Sequence, residues 1–117
     1  MYKVVLFDAY GTLLDVDSAA ANLAESGTYP SLSKVWPELS VLWRSRQLNY
    51  SWLRSLSGSY KPFWEITEDA LDYAMASLGL DNKDMRTDLL SLYRTLDAYS
   101  EVPAMLDALD KAGLPAA

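Results

Sequence analysis

The sequence predicts an α/β fold: an opening strand, a long helical stretch, then a helix leading into the start of a second strand. Three observations predict it. Residues 4–7, Val-Val-Leu-Phe, are continuously apolar rather than alternating, as in a parallel strand buried on both faces. Asp8 ends that run, and Tyr10-Gly11-Thr12 makes a tight turn at once. Beyond the turn, apolar residues recur mostly at three- and four-residue steps, the period of an amphipathic helix.

Each element follows in order. The strand is expected over residues 2–7. A short helix is expected over 17–25, ending before Ser26-Gly27, and residues 31–33 form a loop or a helix start. Pro37 suits a first helical turn, where its missing N–H costs nothing, and a long helix runs from there to Leu56. Its apolar positions are Leu39, Leu42, Trp43, Tyr50, Leu53 and Leu56, with a wider gap around Arg46 and Gln47. Ser57-Gly58-Ser59 loosens it. Thr67 is placed as the cap of the next helix, which carries Ala70, Leu71, Ala74, Met75 and Leu78 and stops at Gly79. A fourth helix is expected over 82–96, with Met85, Leu89, Leu92 and Tyr93 inward. A fifth takes Ser100 as its cap and Pro103 in its first turn, and ends at Gly113 after Met105, Leu106 and Leu109. Leu114-Pro115-Ala116-Ala117 looks like the opening of another strand. A strand buried on both faces needs neighbours on both sides, and no other segment supplies them. The expectation is therefore a fragment, or a chain whose partner strands come from another chain.

Composition narrows the chemistry. A chain of 117 residues suits one ordinary domain with a modest core. Half the residues are hydrophobic and 22% are charged, a globular balance rather than a disordered one. No apolar run approaches the roughly 20 residues of a membrane span. Asp8 interrupts the only apolar stretch near the N-terminus, so no signal peptide is read and a cytoplasmic location is expected. The net charge of −6 argues against nucleic acid, which needs a basic face. There is no Cys and no His. A Ser-His-Asp triad, a Cys nucleophile, the usual zinc sites and disulfides are excluded within the chain. Catalysis falls to carboxylates, hydroxyls, Lys, Arg or Tyr.

Asp8 is the first candidate, because open α/β sheets place ligand sites at the C-terminal ends of their strands. The alternative is that Asp8 and Thr12 only satisfy the amides of the turn. The D-x-Y-G-T-L stretch after an apolar strand resembles the first motif of the haloacid dehalogenase (HAD) superfamily. That resemblance implies that Asp8 is a nucleophile forming a covalent ester. Phosphatase branches carry a second Asp two residues on, which protonates the leaving group; here that place is Tyr10, and a phenol is a poor substitute for a carboxylic acid. A halide leaving group needs no proton, so the departure points to dehalogenation.

A second stretch agrees. Residues 42–56, LWRSRQLNYSWLRSL, closely resemble a segment of the type II (L-2-haloacid) dehalogenases, as do YKPFW at 60–64, TEDAL at 67–71 and AGLPAA at the end. The resemblance implies a HAD-like Rossmannoid core with an inserted helical-bundle cap: residues 1–15 and 99–117 in a partial core, 16–98 in the cap. It implies catalytic roles for Asp8, for Thr12 beside its carboxylate and for Arg44 as acceptor of the halide. It implies a substrate pocket lined by Tyr10, Ser45, Leu48 and Phe63. Ser45 stands where the family often has Gln, which changes the pocket size. The activity implied is hydrolysis of short-chain L-2-haloalkanoic acids to D-2-hydroxy acids, with no metal, no cofactor and a homodimer formed through cap helices. The family's remaining machinery would lie beyond Ala117, so the 117-residue chain alone is expected to be inactive. Two other readings stay open: a phosphatase of the same superfamily acting on a small phosphorylated metabolite, and a non-catalytic helical interaction module.

Overall fold

The computed structural model describes residues 4–11 and 13–116. The chain divides into two compact units. One is built from the N-terminal segment through Val16 and the segment from Leu96 onward; the other is Asp17–Thr95. Among the described residues there are six α-helices: α1 (Ser18–Glu25), α2 (Pro30–Ser33), α3 (Trp36–Ser57), α4 (Phe63–Ser77), α5 (Lys83–Tyr93) and α6 (Val102–Lys111).

In the unit Asp17–Thr95, α3 packs on α4, and α1 packs on α5 and α3. Pro37 sits in the first turn of α3, Glu38 lies in that turn and Arg54 in the last, so both charges favour the helix dipole. Gly58 closes the helix at φ +70°, a left-handed cap that other residues reach only with strain. Pro62 precedes α4 and Asn82 caps α5, its Oδ1 accepting from Asp84 N and Met85 N at 3.0 and 3.1 Å. The core is made by Leu32, Leu39, Ala70, Leu71, Ala74, Met85 and Leu89, all essentially inaccessible. Arg86 of α5 ties to α4 through Asp72 (2.6 Å) and Glu68 (3.3 Å), and these carboxylates raise its pKa further above the usual range.

Two helix starts differ from expectation. Thr67 is not a cap: α4 begins at Phe63, and Thr67 is buried within it. Its hydroxyl donates to the carbonyl of Phe63, one turn back, at 2.9 Å, the i−4 bond that lets Thr sit inside a helix. Ser100 likewise does not cap α6, whose N-cap position is Glu101. The apolar repeat of α3 also runs past its buried face, since Leu53 and Leu56 are 62% and 86% exposed.

The other unit corrects the strand expectation. No strand forms among the described residues; Tyr2, Lys3 and Thr12 lie outside them. Instead Val5 makes a single parallel bridge to Ala116, with Val5 N donating to Pro115 O at 2.9 Å. The segment expected to open a second strand thus supplies one neighbour. The pairing cannot lengthen into a ladder through Pro115, which has no N–H to donate. With one bridge in place of two flanking strands, Val4 and Leu6 are 45% and 76% exposed rather than buried. Leu13 N and Leu14 N both fold back to donate to Ala9 O, and Gly11, at φ +83°, donates to Leu14 O. An antiparallel bridge between Leu14 and Ala98 follows, flanked by Asp15 N to Asp97 O at 2.7 Å and Tyr99 N to Leu13 O at 3.2 Å.

Candidate active site

Asp8 stands between the Val5 bridge and the folded-back turn, and its side chain is exposed. Tyr10 lies in the turn itself, half-buried, and bridges to Leu14. Thr12, expected beside the Asp8 carboxylate, lies outside the described residues. These positions belong to one unit; the remaining candidates belong to the other.

There, α3 carries Arg44, Ser45 and Leu48. Arg44 and Leu48 are four residues apart and so share a face; both are half-buried. Ser45 is turned about 100° from Arg44 around the helix and is exposed. Phe63 opens α4, is 41% exposed, and helps line an open cavity of about 340 Å³ with Ser51, Arg54, Tyr60 and Ile66. Ser51 continues the Arg44–Leu48 face, and its buried Oγ has no hydrogen-bond partner among the described residues.

Sequence reasoning missed the polar centre of this unit. Gln47 is 1% exposed, and its amide joins three other side chains. Oε1 accepts from Arg44 Nη1 at 2.7 Å. Nε2 donates to Thr67 Oγ1 at 2.8 Å and to Tyr93 Oη at 2.9 Å. Trp43 Nε1 donates to Thr67 O at 3.0 Å, and the Tyr93 ring lies 4.9 Å from Trp43 and 6.4 Å from Trp64 between centroids. A signal was present in the sequence. Leu39, Trp43 and Gln47 follow at four-residue steps, so the gap in the apolar repeat of α3 is a buried position held by an amide. Among the described residues, no group of three or more acidic, His or Cys side chains is placed to hold a metal ion, and no helix is long and apolar enough to cross a membrane.

No family model matches the chain. Individual proteins do. It is 44% identical over 116 residues to (S)-2-haloacid dehalogenase 1 of Pseudomonas sp. (strain CBS-3), a match covering 98% of this chain and 49% of that protein. The chain is similar to the (S)-2-haloacid dehalogenases over about half of their length. A crystal structure of a dehalogenase superposes with a TM-score of 0.87 at 39% identity, covering 98% of this chain and 49% of the other. The L-2-haloacid dehalogenase from Xanthobacter autotrophicus with chloropropionic acid covalently bound matches at TM-score 0.79 and 36% identity, over 99% of this chain and 45% of that one. The chain spans about half the length of the curated dehalogenases it matches.

Proposed function

We propose that these residues supply the nucleophile and the halide-binding side of a hydrolase that converts short-chain L-2-haloalkanoic acids to D-2-hydroxy acids. The observation that carries the reading is the 44% identity to an (S)-2-haloacid dehalogenase over 98% of the chain. The relative with chloropropionic acid covalently bound supports an ester intermediate in particular.

In this reading a carboxylate oxygen of Asp8 bonds to C2 as the carbon–halogen bond breaks. The halide leaves with the bonding electrons and the configuration at C2 inverts. The guanidinium of Arg44 receives the halide. Thr12 hydrogen-bonds near the Asp8 carboxylate, and Tyr10, Ser45, Leu48 and Phe63 line the pocket. Water then adds to the Asp8 carbonyl carbon, and the bond from that carbon to the ester oxygen breaks. The hydroxy acid departs with an oxygen that began on Asp8, Asp8 regains an oxygen from water, and one proton is released. No metal or cofactor takes part.

The same reading assigns residues 1–15 and 99–117 to a HAD-like core and 16–98 to a helical cap, in a cytoplasmic homodimer joined through cap helices. Trp52, Leu53 and Leu56, exposed together on α3, support the pairing face. The test is a chimera in which this chain replaces the stretch it matches in the Pseudomonas enzyme. Halide release from L-2-chloropropionate, abolished by Asp8→Asn, is expected. A folded chimera that instead releases phosphate from a small phosphomonoester in a metal-dependent reaction would move the assignment to the phosphatases.

A further inference from the structure

A buried side-chain amide in mid-helix is costly unless every group on it is paired. Gln47 meets that condition, and the polarity of its bonds is determined. The hydroxyl proton of Thr67 is committed to Phe63 O at 2.9 Å, so toward Gln47 the Thr67 oxygen only accepts. The NH₂ end of Gln47 must therefore face Thr67, at 2.8 Å, which turns the carbonyl end to Arg44, at 2.7 Å. Reversing the amide would set N–H against guanidinium N–H and carbonyl against the committed hydroxyl. Tyr93 of α5 closes on the same amide, its Oη 2.9 Å from Nε2 and 3.2 Å from Oε1. Side chains from α4 and α5 thus lock a group on α3 whose acceptor end meets Arg44.

We propose that Gln47 is a positioning residue: through Oε1 it sets the guanidinium of Arg44, and with it the edge that Arg44 presents to a halide. The inference rests on the reading of Arg44 as the halide acceptor, while the placement of the guanidinium is measurable apart from it. The chemistry favours an amide at this place. A guanidinium carries five N–H groups in one rigid plane, so fixing Nη1 orients the rest. A neutral acceptor fixes it without cancelling the positive charge that an anion needs. A carboxylate at position 47 would hold Arg44 as firmly and neutralise it.

The test uses the 117-residue chain itself, with ¹⁵N NMR of the arginine side chains and titration with bromide. In the wild type, Arg44 is expected to show a guanidinium far more ordered than that of the exposed Arg54. Gln47→Leu should release it while the helical signal persists, and weaken bromide binding by roughly tenfold. Gln47→Glu should restore the order of Arg44 yet still bind bromide roughly tenfold more weakly. A purely structural role for Gln47 would alter stability in both variants without moving the Arg44 signals. The proposal is overturned if Arg44 is as mobile as Arg54 in the wild type, a result that needs no variant to fold. It is also overturned if Gln47→Leu leaves both the order of Arg44 and the bromide affinity unchanged. An Arg44 ordered by Gln47 in a chain that binds no bromide would support the positioning and overturn the halide role of Arg44, separating the two failures.

Discussion

Thr67→Val is the sharpest probe of the polar centre, because valine keeps the branched shape and removes only the hydroxyl. The site is fully buried, so no water replaces what is lost. Two bonds disappear: the one donated to Phe63 O and the one accepted from Gln47 Nε2. The Phe63 carbonyl retains the intrahelical partner that its place at the start of α4 provides, so its loss counts little. The Gln47 N–H is left facing a methyl group, and an unpaired buried donor costs about 1–3 kcal/mol. The variant should therefore lose about 2 kcal/mol. Urea unfolding followed by far-UV circular dichroism reads this as a lower midpoint at unchanged slope. In a Gln47→Leu background the donor is already gone, so the same change should cost less, with a coupling of about 1 kcal/mol or more. Strictly additive costs, or a loss under about 0.5 kcal/mol for the single change, would refute the account of a shared, polarity-fixed network.

Other outcomes follow from the same structure. Leu71→Ala, at a site with no accessible surface, should cost about 2–5 kcal/mol in the same unfolding assay. The Tyr29 phenol donates to Asp88 at 2.6 Å, and that bond to a carboxylate pushes its pKa up to about 12. Because the folded value is raised above the ordinary 10.0, its contribution to stability is whole below pH 10.0 and is lost as the pH climbs toward 12. Phenolate absorbance should show one late-titrating tyrosine that Tyr29→Phe removes. In the chimera, Arg44→Lys keeps the charge but loses the planar fork, and kcat/KM should fall by roughly tenfold or more.

The helices were legible because their signals are local. The apolar repeat of α4, the break at Ser57-Gly58-Ser59 and Pro37 in a first turn are each set by a few neighbouring residues. The errors share one cause. Thr67 has the composition of a cap, but capping depends on where the preceding backbone turns, and Pro62 starts α4 earlier. Val4 to Phe7 have the composition of a buried strand, yet pairing is non-local, and among the described residues only Val5 of that run is bridged. Gln47 looked like a break in the pattern because periodicity scores a polar residue as outward. Its burial depends on Thr67 and Tyr93, 20 and 46 residues away. Asp8 and Arg44 are singled out by motif resemblance alone, and no periodicity distinguishes them from a turn carboxylate and a surface cation.

The central claim is that Asp8 attacks carbon and is regenerated by water. A single turnover of L-2-chloropropionate by the chimera in heavy-oxygen water tests it most directly, with both the hydroxy acid and the peptide holding Asp8 weighed by mass spectrometry. The heavy oxygen is expected in the Asp8 carboxylate, with an unlabelled hydroxyl in the product. Label in the product with none in Asp8 would mean that water displaces the halide itself, and would contradict the account.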